Sequence, residues 1–138
     1  MNNERKVVLI VDDEPDVVFM LESRLKSWGY SAVSVSDGRE AIAAAGRTPR
    51  PDLVIMDLQM PIMDGRQACR HFKSDPDLRN IPIILVTANA EVIQKDQLEQ
   101  GLADAYVIKP FDAADLRRKV KALIGLSGPV TGAERGAA

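Results

Sequence analysis

Short apolar runs alternate with longer amphipathic stretches along this chain, and the alternation limits the folds that it can adopt. Four runs, at residues 7–11, 53–56, 81–86 and 105–108, are nearly continuous and rich in Val and Ile. Such runs are typical of strands that are buried on both faces of a parallel sheet. Residues 31–36 (SAVSVS) alternate instead, which indicates a half-exposed strand at the edge of the sheet.

The stretches between the runs have the spacing of helices. In residues 14–28, apolar side chains recur at intervals of three, four and three from Val18 to Trp28, and Gly29 can end the helix. Four further helices are predicted. The first covers 37–45 and is opened by a capping box of Asp37 and Glu40, the second covers 66–73, and the third covers 91–100 and is ended by Gly101. The fourth is capped by Asp112 and ended by Gly125, and its core-facing residues are Leu116, Val120, Leu123 and Ile124.

Strand and helix therefore alternate five times, which predicts an α/β architecture with helices on both faces of a parallel sheet. Right-handed crossovers leave few topologies. We expect a doubly wound (βα)5 fold with a five-stranded parallel sheet. Residues 1–126 would form one domain. Residues 127–138 are small, polar and rich in glycine, so we expect a disordered tail.

The composition excludes several classes of protein. A chain of 138 residues is the length of one domain, and its net charge of -2 gives no general attraction to nucleic acid or anionic lipid. A single cysteine, Cys69, cannot form an internal disulfide. No apolar run approaches the ~20 residues of a membrane span, and the N-terminal MNNERK lacks the apolar core of a signal peptide. We expect a soluble cytoplasmic protein that contacts neither membrane nor nucleic acid directly.

Polar side chains follow four of the predicted strands. Asp12 and Asp13 come after the first strand, Asp57 after the third, Thr87 after the fourth and Lys109 after the fifth. In an open parallel sheet these positions lie at the carboxyl ends of the strands, where ligands bind. The sequence therefore predicts three carboxylates, a hydroxyl and an ammonium group in one place.

The charges of this predicted cluster indicate its ligands. Three adjacent carboxylates repel one another, so without a cation at least one should have a raised pKa. A divalent metal together with Lys109 balances them, and oxygen ligands without clustered His or paired Cys favour Mg²⁺ or Mn²⁺ over Zn²⁺. Mg²⁺ seeks phosphate oxygens, yet no Walker-type glycine loop is present to hold a nucleotide. A phosphoryl group carried covalently on a carboxylate is therefore predicted.

This constellation resembles the receiver domain of two-component response regulators, over about residues 6–125. The residues that carry the resemblance are Asp12-Asp13, Asp57, MPIMDG at 60–65, Thr87-Ala88 and Lys109-Pro110-Phe111.

The resemblance implies a flavodoxin-like fold whose five-stranded sheet has the order 2-1-3-4-5. It also implies a role for each residue of the cluster. Asp57 would be the phosphoacceptor, and Asp13 and Asp57 would bind Mg²⁺ directly with the backbone carbonyl of Gln59. Asp12 would act through a water bound to the metal. Lys109 would pair with Asp57 before phosphorylation and with the phosphoryl oxygens afterwards, and the bond from Lys109 to Pro110 would be cis.

The resemblance also implies a switch. Thr87 would move to bond a phosphoryl oxygen and Tyr106 would follow it inwards, which would change the surface of the fourth helix, fifth strand and fifth helix. Gln59 and Asn89, two residues beyond Asp57 and Thr87, would tune the lifetime of the phosphoryl group.

The expected function is that of a single-domain phosphoacceptor rather than an enzyme. Its donor would be a sensor histidine kinase or a histidine phosphotransfer protein, and its output a protein contact, because no DNA-binding domain follows Gly125. The chain would be a monomer or a phosphorylation-dependent dimer. Two alternatives are an interaction module that works without phosphorylation and a phosphohydrolase. Such hydrolases usually have a second acid where this chain has Gln59.

Structural interpretations compete with these roles when each residue is taken singly. Asp12 and Asp13 suit a helix cap, Asp57 a turn and Thr87 another cap. They are less favoured jointly, because they do not explain why all these residues meet at one edge.

Three further features have ordinary explanations. Cys69 is expected to be a packing residue and His71 a solvated one. The basic run Arg117, Arg118, Lys119 and Lys121 is expected to be a solvated helix face, with a docking surface for an acidic partner as the alternative.

Overall fold

The computed structural model describes residues 5–47, 50–59, 62–99 and 103–125, and within them strand and helix alternate five times. The elements are β1 Val7–Val11, α1 Pro15–Ser27, β2 Ser31–Val35, α2 Gly38–Ala45, β3 Leu53–Asp57, α3 Gly65–Ser74, β4 Ile83–Thr87, α4 Ala90–Glu99, β5 Ala105–Ile108 and α5 Ala113–Ile124. The five strands are parallel and lie in the order β2-β1-β3-β4-β5, which confirms the predicted topology.

Three of the strands, β1, β3 and β4, are buried as their sequences predict. β5 is not, because it forms an edge of the sheet: within it Val107 is buried but Ile108 is exposed. All residues of β3 and β4 are buried, and so are the last four of β1. The edge strand β2 leaves Val33 and Ser34 exposed. One core cluster joins the sheet to α1 and α5, and a second joins its other face to α2 and α3, so the sheet is covered on both sides.

Side-chain caps fix where three of the helices begin. Asp112 caps α5 as predicted, accepting from the N–H groups of Ala114 and Asp115. Asp37 caps α2 by accepting from the Glu40 N–H. The predicted capping box is wrong, because its second bond, from the Asp37 N–H to the Glu40 carboxylate, does not form. The carboxylate of Glu40 accepts instead from the N–H of Ser36, one residue earlier, at 2.8 Å.

Other predicted boundaries shift for identifiable reasons. The fourth strand starts at Ile83 rather than residue 81, because Pro82 has no N–H and the N–H of Ile81 bonds Leu78 in the preceding turn. Gly29 and Gly125 follow α1 and α5 with φ of 97° and 73°. Gly101 and the predicted tail lie outside the described residues. Among the helices described, none is long and apolar enough to cross a membrane.

Candidate functional site

The carboxyl ends of four strands bring the predicted polar residues to one edge of the sheet. Asp57 ends β3 and Thr87 ends β4, and in the sheet register Asp57 lies opposite Val86. Asp12, Asp57 and Thr87 are 4%, 7% and 3% exposed, whereas Asp13 is exposed. A carboxylate oxygen from each of the three aspartates lies within 4.8 Å of the others. The side chains are thus placed as the sequence predicts, and their chemical roles stay predictions.

Lys109 is the positive centre of this cluster, and its ammonium group is shared among three carboxylates. Its Nζ lies 3.1 Å from Asp12 Oδ2, 3.2 Å from Asp57 Oδ2 and 3.3 Å from Glu14 Oε1. An ammonium group has three donors, so these contacts can use all of them. The sequence prediction did not include Glu14. The available signal was the third acid of the run at residues 12–14.

Two residues of the site have shifted pKa values. Burial raises the pKa of Asp57, and the nearby charge of Asp12 adds to this. The Gln59 N–H and Lys109 act in the opposite direction. Burial works against the charge of Lys109, but the carboxylates of Asp12 and Asp57 raise its pKa overall. The predicted raised carboxylate pKa is confirmed, although its main cause is burial rather than repulsion between carboxylates.

The structural interpretations and the site roles coexist in Asp12 and Asp57. In each, Oδ1 accepts a bond from the local backbone and Oδ2 contacts Lys109. Asp12 Oδ1 accepts from the Glu14 N–H at 2.9 Å, and Asp57 Oδ1 from the Gln59 N–H at 3.1 Å. The local bond fixes the side-chain orientation, so the other oxygen faces the shared cluster.

Thr87 and Asn89 hold the loop that leads from β4 into α4. Thr87 Oγ1 accepts from the Asn89 N–H at 3.2 Å, and Asn89 Oδ1 accepts from the Glu91 N–H at 2.9 Å. Thr87 is thus a turn residue as well as a member of the site edge. The backbone also ties the neighbouring strand here, because the Lys109 N–H donates to the Thr87 carbonyl at 2.8 Å. The bond between Lys109 and Pro110 is cis, as predicted.

Gly65 lets α3 begin directly against the end of β3. A Cβ at this position would lie 2.5 Å from the carbonyl oxygen of Asp57 and 2.9 Å from Leu58 Cα. Its N–H donates to the Leu58 carbonyl at 2.9 Å. The next turn is held by a complete capping box of Asp64 and Gln67. The glycine of the MPIMDG stretch therefore keeps Asp57 in place by permitting a close backbone approach.

The structure also gives the burial of Tyr106, the predicted switch residue, and of three further residues named in the sequence analysis. Tyr106 on β5 is partly buried and packs against the core cluster on the α2–α3 side of the sheet. Its carbonyl accepts from Lys119 Nζ at 2.7 Å, which links β5 to α5. Gln59 is exposed, beside Asp57. Cys69 is buried and His71 exposed, as predicted.

Comparison with known proteins decides the family. The profile of the response regulator receiver domain matches residues 8–121. This chain is a receiver domain. The polar-differentiation response regulator DivK of Brucella anthropi is 33% identical to it over 120 residues, which cover 87% of this chain and 97% of DivK.

Other curated relatives are longer than this receiver domain. It is 36% identical over 132 residues to the probable transcriptional regulator ycf27 of Pyropia yezoensis, covering 95% of this chain and 52% of ycf27. It is 37% identical over 120 residues to the regulatory protein PhoP of Bacillus subtilis, covering 86% of this chain and 48% of PhoP. The chain thus spans about half the length of these transcriptional regulators.

Solved receiver domains share the fold and include metal-bound examples. One belongs to a sensor histidine kinase of Pseudomonas aeruginosa and has a magnesium ion in its active-site cleft. It is 36% identical with a TM-score of 0.78, covering 88% of this chain and 99% of that one. The response regulator TrrA of Thermotoga maritima, in complex with Mg²⁺-BeF, is 32% identical with a TM-score of 0.75, covering 86% and 98%.

Proposed function

We propose that this receiver domain is a phosphoacceptor in which Asp57 takes a phosphoryl group from a phosphohistidine, in a reaction that depends on Mg²⁺. The donor would be a sensor histidine kinase or a histidine phosphotransfer protein. The position of Asp57 carries the proposal. Its carboxylate is buried, 3.2 Å from Lys109, and clustered with Asp12 and Asp13. Membership of the receiver family supports it.

The donor set fits a hard divalent cation, because it consists of carboxylate oxygens. Asp13 and Asp57 would hold Mg²⁺, or Mn²⁺ in its place, together with the backbone carbonyl of Gln59, and Asp12 would act through a water. When bound, the metal offsets negative charge on the phosphoryl group.

The protein's own part is to position the nucleophile and to stabilise charge. A carboxylate oxygen of Asp57 forms a bond to phosphorus while the phosphorus–nitrogen bond of the donor breaks, and the electron pair of that bond returns to the imidazole nitrogen. Lys109 contacts Asp57 before transfer and would donate to a phosphoryl oxygen afterwards. Because Asp12 and Glu14 also contact the ammonium group, Lys109 stays in the site when its bond to Asp57 is exchanged.

The readout would be a change of surface. Thr87 would turn from the Asn89 N–H to a phosphoryl oxygen, and Tyr106 would follow inwards. Tyr106 lines a groove with Ile93 of α4, Ile108 and Lys119, so its movement would change the surface formed by α4, β5 and α5. This surface is the proposed contact for a downstream protein, and a monomer or a phosphorylation-dependent dimer is compatible with it.

We also propose where the chain acts, what its output is and which reactions it carries out. The chain would act in the cytoplasm as one receiver domain, with protein contacts rather than DNA binding as its output. Its chemistry would be limited to accepting a phosphoryl group and losing it by autodephosphorylation. Hydrolysis of external phosphoesters, the enzyme alternative, is tested by measuring phosphate release from small phosphoesters.

Intact mass spectrometry with acetyl phosphate and Mg²⁺ tests the proposal. The wild-type chain should gain one phosphoryl group, and chelation of the metal should prevent the gain. Asp57→Asn should gain none. The matched control is Asp16→Asn, at an exposed position in the first turn of α1, which should be modified like the wild type. Equal labelling of Asp57→Asn and the wild type, or none of either, would refute a phosphoacceptor role for Asp57.

The lifetime of the phosphoryl group should depend on the two exposed side chains that flank the site. Gln59 follows Asp57 and Asn89 follows Thr87, each by two residues. Hydrolysis needs a water in line with the bond to phosphorus, and a side chain in these positions can block or orient it. Decay of the phosphorylated form should therefore change in Gln59→Ala and Asn89→Ala. Unchanged lifetimes in both would contradict this role.

A further inference from the structure

A groove between α1 and α5 collects positive charge that the proposed phosphoryl chemistry does not use. Four cationic side chains line it, those of Arg24, Arg117, Arg118 and Lys121, together with Trp28. In the described part of the chain, no acidic side chain lines this α1–α5 groove. Alanines of α5 form the rest of its wall, so the surface between the cations is apolar.

The structure divides the basic run of α5 between two surfaces. Lys119 faces β5, where its Nζ contacts the Tyr106 carbonyl and lies 2.9 Å from Asp115 Oδ2. Arg117 faces α1, and its guanidinium carbon lies 5.8 Å from the centre of the Trp28 ring. This distance allows a cation–π contact, which keeps the aromatic ring and the charge together. Arg118 lines the groove while pairing with Asp115.

The distribution of charge makes the α1–α5 groove unusual for this molecule. The chain has 18 basic and 20 acidic residues. Four of the basic residues line the groove, which leaves 14 basic against 20 acidic residues, a net charge of -6, for the rest of the chain. The negative net charge of the rest disfavours a long or flat polyanion, such as nucleic acid or a membrane, that extends beyond the groove. A short acidic segment can lie in the groove alone.

We infer that the α1–α5 groove docks an acidic segment of a protein partner. Carboxylates of the segment would pair with Arg24, Arg117 and Lys121, and an apolar side chain would pack on Trp28 and the alanines. Arginine and tryptophan, with tyrosine, are enriched among the residues that contribute most of the binding energy at protein interfaces. The groove shares no lining residue with the cluster of Asp12, Asp13 and Asp57, so a segment docked there need not cover the phosphoacceptor.

Trp28 is the only tryptophan of the chain and therefore reports directly on the groove. The probe is a set of short amphipathic peptides with glutamates around leucines, and the matched set has lysine for each glutamate. At about 0.1 M salt, where charges are screened beyond ~10 Å, the acidic peptides should bind and shift the Trp28 indole N–H resonance. The lysine peptides should not bind.

Charge reversal localises the binding. Arg117→Glu with Lys121→Glu should weaken it at least tenfold. The control, Lys26→Glu with Arg79→Glu, changes the net charge equally at exposed positions that do not line the groove, and should change the affinity less than twofold. Circular dichroism and phosphorylation by acetyl phosphate, which the groove does not serve, report on the fold of each variant. Arg117→Gln with Lys121→Gln replaces the reversal pair if that pair does not fold.

Four results would overturn the inference. No acidic peptide binds; a peptide binds without moving the Trp28 resonance; the control pair loses as much affinity as the groove pair; or a single-stranded oligonucleotide or phosphatidylserine vesicles bind more tightly than the peptides do. The last result would assign the groove to that polyanion instead. Loss of phosphorylation with peptide binding intact would bear on the phosphoacceptor proposal and not on the groove.

Discussion

At the scale of single residues, the site depends on two carboxylates that each bind the local backbone and Lys109 at the same time. Asp12 and Asp57 each use Oδ1 to hold the local backbone and Oδ2 to contact Lys109. Asp57 keeps these contacts while only 7% exposed, so its charge is incompletely compensated and its pKa is raised. A metal-binding nucleophile that is held this way costs stability in the metal-free protein.

We predict that Asp57→Asn stabilises the metal-free protein at neutral pH by on the order of 1 kcal/mol, because the amide removes a desolvated charge and can still accept from Gln59. The raised pKa fixes the pH dependence. The contribution of Asp57 to the free energy of unfolding is fully present only while its carboxyl group is protonated, below the ordinary pKa of 3.8. It is lost as the pH rises through the raised pKa of the folded protein. The stability difference should therefore grow from acid to neutral pH, measured by urea unfolding.

The comparison needs two checks. Asp16→Asn, at an exposed position, is the control for the loss of one carboxylate. Adding Mg²⁺ should stabilise the wild type, by about 2.7 kcal/mol when the metal is at 100 times its dissociation constant, and should stabilise Asp57→Asn much less. A wild type more stable than Asp57→Asn at neutral pH without metal would contradict the prediction.

The residue scale also shows what a sequence can and cannot reveal about a site. Asp12, Asp13, Asp57, Thr87 and Lys109 were predictable, because each lies at or just after the end of an apolar run that is easy to recognise. Glu14 was not, since its contact with Lys109 depends on the path of the chain into α1 and on side-chain reach.

At the scale of elements, the join between β3 and α3 positions the phosphoacceptor. The capping box of Asp64 and Gln67 starts α3, and Gly65 brings that start against the Asp57 carbonyl. The buried face of α3 consists of Ala68, Cys69 and Phe72 among charged residues. Its helical pattern was therefore weak in the sequence, whereas the apolar runs of the strands were easy to recognise and predicted the strands with small errors at their ends.

We predict that Gly65→Ala destabilises the protein by about 2–3 kcal/mol and slows phosphorylation, because the added methyl group must displace the backbone of Asp57 or Leu58. Gly46→Ala is the matched control. It lies after α2 with φ of -83° and with its nearest neighbours at 3.8 Å and 3.9 Å. That substitution should be neutral or stabilising by about 0.5 kcal/mol. Thermal unfolding and acetyl phosphate labelling measure both effects, and equal behaviour of the two variants would refute the role of Gly65.

At the scale of the whole molecule, the start of the sheet is fastened to the end of the last helix. Tyr30, which precedes β2 and is 1% exposed, donates its hydroxyl to the Gly125 carbonyl at 2.5 Å. Lys6, just before β1, donates to the Ile124 carbonyl. These bonds join residues about a hundred positions apart. They lie at the amino ends of the strands, whereas Asp57 lies at the carboxyl end of β3. The sequence could not reveal this clasp, the pair of bonds from Tyr30 and Lys6 to the end of α5, because it depends on where the last helix ends against the sheet.

The clasp should make stability depend on alkaline pH. Burial raises the pKa of Tyr30 against the opposing charge of Arg117. The phenol therefore contributes stability fully below the ordinary tyrosine pKa of about 10, and the contribution is lost as the pH rises through the higher folded value. Tyr30→Phe should cost about 1 kcal/mol near pH 8 through loss of a buried hydrogen bond. Its deficit relative to the wild type should then shrink as the pH rises past 10.

Urea unfolding across this pH range tests the clasp, with hydrogen exchange at the end of α5 as the local readout. Tyr106→Phe, which changes the only other tyrosine of the chain, leaves the bond to Gly125 intact and should not speed exchange there. A Tyr30→Phe deficit that stays constant from pH 8 to beyond pH 10, or unchanged exchange in the last turn of α5, would show that the hydroxyl does not hold the end of the helix. Because the clasp lies away from the strand ends that carry Asp57, its loss should leave phosphorylation by acetyl phosphate unchanged.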